Sequence, residues 1–498
     1  MGWQNMGDVT GAYLAFDLGA ETGRAFLGRL RSGLLELREV HRFPNEPVEY
    51  GGHLHWDAAR IWLEMRKALR EADAAELAGI GVDAWGVDYA LLGERGELLQ
   101  NPRHYRDHRN VRAMEEVLQL VSGEEIYRAT GIQLMPINTL NQLFAASRDT
   151  PRLLAAAERL VMIPDLFHYW MTGNAVCEFT AATTTQFVDA GARTWAAGLL
   201  DRLGLPAELP ARIVEPGSVV GRLLPGLAAD GSNGAALVIA PASHDTASAV
   251  AAVTARDHTA FLSSGTWSLL GMEVDAPVLS SQALKLNFTN EGGVRGTTRL
   301  LKNVMGLWML QCCRRSWAAQ GRQYSFGQLM EAARQAPPFR HLVDPDDLSF
   351  LNPGDMPAAI DRFCLRCDQP APDGPGSYAR TIFESLALKY RLVLRSLESL
   401  IGRRVVEIRV VGGGSRNRVL NQFTADATGR RVLAGPSEAA VLGNIGVQMV
   451  ATGAAGCLEE ARETIGRSFP AETFEPNGAE KWDAVAERFQ QYCEFAYA

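Results

Sequence analysis

Short runs of Val, Ile, Leu and Ala alternate along the chain with longer segments in which apolar residues recur at helical spacing. The runs Ala12–Phe16, Ile80–Asp83, Val87–Leu92, Leu237–Ala240, Ala260–Ser263 and Ile408–Val411 predict strands. Ala58–Ala72, Tyr378–Ile401 and Asn417–Thr428 predict helices, the middle one long and carrying Leu386, Leu388, Tyr390, Leu392, Leu394 and Leu397. This alternation means an α/β class. Gly191–Glu215 and the stretch DQPAPDGPG (Asp368–Gly376) predict loops, the second because its Pro and Gly density forbids regular structure.

A weak internal echo organises the pattern. AYLAFDLGAETGRAFLGRL (Ala12–Leu30) and TAFLSSGTWSLLGMEV (Thr259–Val274) share one plan: an apolar strand, a short turn with Gly and Ser/Thr, and a second apolar strand. Two similar halves meeting near residue 250 follow from it, and two unrelated hairpins would look much the same.

Composition narrows the partners. The chain has 498 residues, 47% of them hydrophobic, enough for two or three domains with cores. Lys and Arg total 49 against 57 Asp and Glu, a formal charge of −8, so no basic excess exists to hold a nucleic-acid backbone or an anionic membrane. The start MGWQNMGDVTGAY lacks a basic flank with an apolar core, and no run approaches the ~18 apolar residues of a membrane span. A cytoplasmic protein with a small-molecule partner is expected. Seven cysteines are too few and too scattered for a disulfide framework, and the one CxxC, Cys364–Cys367 in FCLRCDQP, has no second pair to complete four zinc ligands.

The turns hold the chemistry. In DLGAETGR (Asp17–Arg24) glycines let backbone approach a ligand, Thr22 offers a hydroxyl, and Asp17 at the strand end suits a hydrated Mg²⁺ beside a phosphate. In SSGTWS the same logic applies to Ser264, Gly265 and Thr266. Both also read as ordinary hairpin turns. EIRVVGGGSRNRVLNQFTADATG (Glu407–Gly429) places three glycines between a strand and a helix with Asn417 and Asn421 on one side, where a flat ring can lie on bare backbone. It is neither a GxGxxG fingerprint nor a P-loop, so ATP, if bound, is bound outside those schemes.

In PASHDTASAV the strand Leu237–Ala240 ends, Ser243, His244 and Asp245 follow, and Thr246–Val253 predicts a helix of small residues with Asp245 as its N-cap. The second role open to Asp245 is that of a carboxylate accepting a proton from a substrate hydroxyl, with His244 hydrogen-bonding the substrate. In GIGVDAWGVDYALL (Gly79–Leu92), Asp83, Trp85 and Gly86 combine a carboxylate, an aromatic face and bare backbone, a set that suits a sugar; a core tryptophan fits as well.

With FDLGAETGR, HLHWD, GVDAWGVDYALL, YRDHR, GIQLMPINTLNQL, MIPDLFHYWMTG, TAATTTQ, ASHDTASAV, LSSGTWSLLG, FTNEGG, LKNVMGLWMLQ, FLNPGDM, VVGGGSRNRVLNQ and GPSEAAVLGNIGVQ in order, nearly the whole chain resembles the FGGY carbohydrate kinases. The DAWGVDY, ASHDTASAV and NEGG segments favour the L-rhamnulose branch over xylulose, glycerol and gluconate kinases. The resemblance implies two actin-like (ribonuclease H-like) α/β domains with mixed sheets, 1–250 and 251–498, closing over a central cleft that holds Mg²⁺-ATP and a ketose. It implies Asp245 as proton acceptor, Gly86 and His244 as sugar contacts, Ala20, Glu21, Thr22, Gly23 and Arg24 as first ATP loop, Thr266 as second, and Asn303, Gln311 and Gly413 completing the nucleotide site. Asp83 and Trp85 join the sugar side and Asp17 the metal. The loop departs from the family in AETGR, which lacks the expected serine and puts the charge of Glu21 near phosphates. L-Fuculose or L-xylulose as substrate, a non-catalytic actin-like ATP-binding protein, and a monomer or homodimer all stay open.

Overall fold

The computed structural model describes residues 9–72, 77–227 and 236–494. Residues 1–8 of the opening stretch MGWQNMGDVTGAY lie outside them. The chain divides into two compact units, one of Met1–Thr254, Glu273–Leu300 and Ala439–Phe469, the other of Ala255–Met272, Leu301–Glu438 and Pro470–Ala498.

In the first unit the strand Val9–Leu18 pairs antiparallel with Thr22–Arg31, which pairs antiparallel with Leu34–Pro44. On its other side Val9–Leu18 runs parallel to Gly79–Ala84, and that strand runs parallel to Leu237–Ala240. Apolar side chains of these strands, Leu14, Phe16, Ile80, Val82 and Val238 among them, are fully buried. That is why each reads as a continuous apolar run rather than an alternating one. The helix Ala58–Glu71 starts at the Asp57 side chain, which accepts from the Arg60 amide, and buries Ile61, Met65, Ala68 and Leu69.

In the second unit Thr259–Ser264 pairs antiparallel with Trp267–Val274 and parallel with Glu407–Val411, which runs parallel to Arg431–Ala434. With Thr298–Met305 beyond Trp267–Val274, and with the edge strands Ser218–Arg222 of the first sheet and Thr289–Gly292 and Glu472–Phe474 of the second set aside, both sheets share a five-strand core in the order third, second, first, fourth, fifth. The echo between the two hairpins is therefore a shared topology, the mixed ribonuclease H-like sheet that the resemblance implies, written twice.

Three expectations on local structure are corrected. Gly191–Glu215 is not one loop: it holds the strand pair partner Thr194–Trp195, the helix Ala197–Arg202 and the strand Ile213–Val214, with Leu199 and Leu200 buried. The long helix begins at Gly374, inside the Pro/Gly stretch, because Pro375 falls in its first turn, where no backbone donor is needed. The expected strand Val87–Leu92 starts only at Tyr89, since Val87 turns at φ 67.

Candidate active site

Three carboxylates of the first unit come from three strand ends. Asp17 and Asp83 are register partners on adjacent parallel strands, and Asp245 opens the helix after Leu237–Ala240. The helix spans Asp245–Ala251 with His244 as its N-cap residue, so Asp245 is its first turn and not its cap. The difference has a visible cause: the backbone at His244 bridges to Ala84, and the Ala84 amide donates to Ser243 O at 2.9 Å, so the extended chain lasts one residue longer than expected. The Asp245 carboxylate instead accepts the amide of Thr246 at 2.6 Å. Its side chain keeps 32% of its surface, so it remains open to a ligand.

Electrostatics bind the three together. Burial raises the Asp83 carboxyl well above its ordinary range, with Asp17 and Asp245 adding to the rise and an Asn444 amide opposing it. Asp245 is raised by the protein packed around it and by Asp17, against the pull of His244. Asp17 is paired with Arg24 across the hairpin. Asp83 Oδ2 receives the Asn444 amide at 2.7 Å, while Asp83 Oδ1 is buried with no hydrogen-bond partner.

Behind Asp245 stands a buried polar wall. His244 Nε2 lies 3.4 Å from Asp245 Oδ1, and its Nδ1 faces Arg299 Nη2 and Glu291 Oε2, each at 3.2 Å. The His244 amide donates to Thr180 Oγ1 at 3.1 Å and the Ser243 amide to Glu178 at 2.9 Å. Glu178, fully buried, is pushed up to about 8 by desolvation against the pull of its donors. A Cβ on Gly86 would meet Thr184 Cγ2 at 3.0 Å and His244 Nε2 at 3.2 Å, so the bare backbone there lets the imidazole pack against it. Trp85 is buried instead, its ring 4.2 Å from that of Trp56 and its N–H given to Asp88 at 3.0 Å. Gly86, His244, Asp245 and Asp83 are thus neighbours, with Trp85 backing them from the core.

The first turn is tied down by Asn45, whose amide donates to Glu21 O at 3.0 Å and whose side chain donates to Gly19 O at 2.8 Å. Ala20 and Glu21 lie in the turn and keep partial exposure, whereas Thr22, Gly23 and Arg24 already belong to the second strand. Gly23 is required there, since a Cβ would sit 2.1 Å from the Phe43 ring.

In the second unit the turn Ser264–Thr266 is clamped from two sides. Amides of Gly306 and Trp308 donate to Thr266 O at 3.1 and 3.2 Å, and Leu307 donates to Gly265 O at 2.9 Å. The glycines pack against the same turn: Gly412 adopts φ 80, and a Cβ on Gly414 would meet Ser264 Oγ at 2.0 Å. Gly413 between them is exposed with open space where its Cβ would be. Asn303 lies on Thr298–Met305, and Gln311, whose Oε1 is buried without a hydrogen-bond partner, on Trp308–Ala319. Asn417 and Asn421 are held by the fold: Asn417 caps its helix through the Leu420 amide, and Asn421 donates to Ser415 O at 2.7 Å. Cys364 and Cys367 sit at the end of the helix Met356–Arg366, both thiols raised by burial.

Glu178, Glu291, Arg299 and Asn444 escaped the sequence reading. Each owes its place to a contact distant in the chain, such as Ser243 to Glu178, His244 to Arg299 or Asn444 to Asp83, and no local spacing marks it.

Two doubled sheets with glycine- and hydroxyl-bearing turns and one open carboxylate have the parts of a phosphoryl-transfer enzyme that works outside the P-loop scheme. The profile of the FGGY family of carbohydrate kinases, N-terminal domain, matches residues 12–252, and that of its C-terminal domain matches residues 260–452. The chain therefore belongs to the FGGY family of carbohydrate kinases and is a sugar kinase. It is 45% identical to a rhamnulokinase of Bacteroides thetaiotaomicron, over 96% of this chain and 98% of that one. It is 41% identical to a rhamnulokinase of Enterococcus faecalis, over 96% and 97%. In fold it resembles a gluconate kinase from Lactobacillus acidophilus at a TM-score of 0.78, with 17% identity and 97% of each chain covered.

Proposed function

We infer that this kinase transfers the γ-phosphoryl group of ATP to the 1-hydroxyl of L-rhamnulose, giving L-rhamnulose 1-phosphate and ADP, as a cytoplasmic step of L-rhamnose breakdown. The observation that carries the reading is Asp245: a raised, partly open carboxylate at a strand-to-helix turn, beside His244 and the bare backbone of Gly86. The names and high coverage of the rhamnulokinase relatives support the choice of ketose.

Asp245 accepts the proton of the attacking hydroxyl, its raised basicity matching that task better than an ordinary surface aspartate would. Gly86, His244, Asp83 and Trp85 form the sugar side within residues 1–250. Ala20, Glu21, Thr22, Gly23 and Arg24 hold phosphate oxygens from the first turn, while Thr266, Asn303, Gln311 and Gly413, within residues 251–498, take the nucleotide. Mg²⁺ fits the first unit, since Asp83 Oδ1 is buried without a partner and Asp17 and Asp83 raise the local negative charge. Asp17 would hold it, and the ion supplies charge neutralisation for the phosphates. The protein works as a monomer or homodimer, with no nucleic-acid or membrane partner; among the described residues no helix is long and apolar enough to cross a membrane.

The test is ADP release from Mg²⁺-ATP against L-rhamnulose, L-fuculose, L-xylulose, D-xylulose, L-ribulose and glycerol, each followed by detection of the sugar phosphate. L-Rhamnulose is expected to give the highest kcat/KM by a wide margin. A better ketose would keep the chemistry and replace the substrate; no sugar phosphate from any of them would favour a non-catalytic ATP-binding role. Asp245→Asn should lower turnover by ~10³-fold or more with ATP binding nearly intact, on the scale of a lost catalytic base and its positioning. Near-normal turnover in that variant removes Asp245 from the role.

A further inference from the structure

The buried groups behind His244 do more than fill space. A guanidinium has donors only, so Arg299 Nη2, 3.2 Å from His244 Nδ1, needs an acceptor there. Nδ1 is then the unprotonated nitrogen, and the ring proton of a neutral imidazole sits on Nε2, the nitrogen 3.4 Å from Asp245 Oδ1. Arg299 is itself fixed: it is fully buried, its Nε donates to Gly292 O at 2.8 Å, and its Nη2 lies 3.1 Å from Glu291 Oε2. Glu291 Oε2 also lies 3.2 Å from Nδ1, so two groups compete for that nitrogen, one wanting its lone pair and the other a proton. With Arg299 present the carboxylate is neutralised and the guanidinium decides.

We propose that Arg299 is a positioning residue for the transfer: by donating to His244 Nδ1 it holds the imidazole as the Nε2–H tautomer, which aims a neutral donor at the Asp245 carboxylate. This rests on the reading of Asp245 as proton acceptor. A neutral Nε2–H orients the carboxylate and takes less of its basicity than an imidazolium in the same place, which would hold Asp245 as an ion pair and weaken it further as a base. The charged groups facing the ring are Asp245 from its own helix and Glu291 and Arg299 from the segment 289–299, with Glu178 behind the Thr180 hydroxyl.

The experiment is ¹⁵N NMR of histidine-labelled protein at pH 8, the His244 ring assigned by the signals lost in His244→Gln, combined with the kinetics of Arg299 variants. In the wild-type protein a proton on Nε2 and a bare, hydrogen-bonded Nδ1 are expected. Arg299→Met leaves Glu291 facing Nδ1, so the ring should carry both protons, and kcat should fall ten- to a hundred-fold with KM for ketose and for ATP within about three-fold. Arg299→Lys, which keeps a donor for Nδ1, should retain the wild-type tautomer and most of the turnover. A wild-type ring protonated on Nδ1, alone or on both nitrogens, overturns the proposal, and so does Arg299→Met with wild-type kcat. If Arg299→Met does not fold, the wild-type spectrum still decides. Ketose phosphorylation by a wild-type protein with the wrong tautomer fails the positioning role alone; no phosphorylation by the wild-type protein fails it together with the function it rests on.

Discussion

Trp56 at 2.6 Å, Trp85 at 3.0 Å and the Tyr105 amide at 3.3 Å all donate to one oxygen of Asp88, and the Gln142 side chain donates to the other at 2.9 Å. The sequence marks Trp85 as an aromatic beside a carboxylate, and that is right, but the carboxylate it serves is Asp88 and the contact lies inside the core. Burial wins over the four donors and pushes Asp88 up to about 7 from an ordinary 3.8. The unfolded chain therefore loses this proton first, so the increment that the neutral group adds to stability is whole below pH ~4 and is lost as the pH rises towards 7. At ~1.4 kcal/mol per pH unit it amounts to at most ~4 kcal/mol. Asp88→Asn, a mimic of the neutral carboxyl, should flatten that slope: the fall in Tm between pH 5 and pH 8 is expected to be smaller by a few degrees than in the wild-type protein. Parallel slopes in the two proteins would mean that Asp88 is ionised in the fold. At this scale the residues that the sequence singles out, Asp17, Asp83 and His244–Asp245, all lie where a strand ends. Glu291, Arg299 and Asn444 were not readable, because nothing local distinguishes a buried ion-pair partner from a solvated charge.

The helix that carries Asp245 is short, Asp245–Ala251, and its position is set by its neighbours rather than by its own hydrogen bonds. The run of Ala and Ser that follows Asp245 signals close packing, and the partner turns out to be Ala439–Ala451. There Gly443 takes the contact so closely that a Cβ would lie 1.7 Å from Ser248 O. Arg462 then closes the far end, donating to Ala251 O and Val250 O at 3.1 and 3.2 Å and to Glu273 at 2.9 Å. Gly443→Ala changes no site residue but pushes backbone against backbone on the helix that carries Asp245, where no side chain can swing away. The expected result is a loss of ~1–3 kcal/mol of stability, as for an overpacked core, together with a kcat reduced at least ten-fold. Thermal unfolding and steady-state kinetics on the same preparation check both. Loss of stability with unchanged kcat would show that the helix start is anchored by His244 and Thr246 alone. The element pattern was legible because apolar runs bury on both faces of their sheets. It failed at Gly374 because a proline that ends helices elsewhere is tolerated in a first turn.

At the scale of the whole chain, sequence order and compactness part company. The first unit takes in Glu273–Leu300 and Ala439–Phe469, segments that follow the strands of the other unit. Their contribution is structural at the centre: Gln448 donates to Leu14 O at 3.2 Å, Asn444 to Asp83 at 2.7 Å, and the hydroxyls of Thr452 and Tyr13 meet at 2.9 Å. The strand Gly79–Ala84 is shaped for this helix, since a Cβ on Gly81 would lie 2.4 Å from Asn444 Oδ1 and one on Gly79 2.6 Å from Gln448 Oε1. A fragment of residues 1–254 would keep all six strands of its sheet and its own Asp245, yet expose the sheet face that Ala439–Ala451 covers and leave Asp83 without its amide donor. Such a fragment is expected to show secondary structure by far-ultraviolet circular dichroism, no cooperative thermal transition, and rapid digestion by protease. A cooperative transition in the fragment would mean that residues 1–254 carry a sufficient core and that the later helix only trims the site. The hairpin echo makes the two halves look separable near residue 250, because a topology repeated along the sequence is visible there. The helix that returns to the first sheet is an almost wholly apolar stretch, AAVLGNIGVQMVA, with nothing in its sequence to say which sheet it will cover.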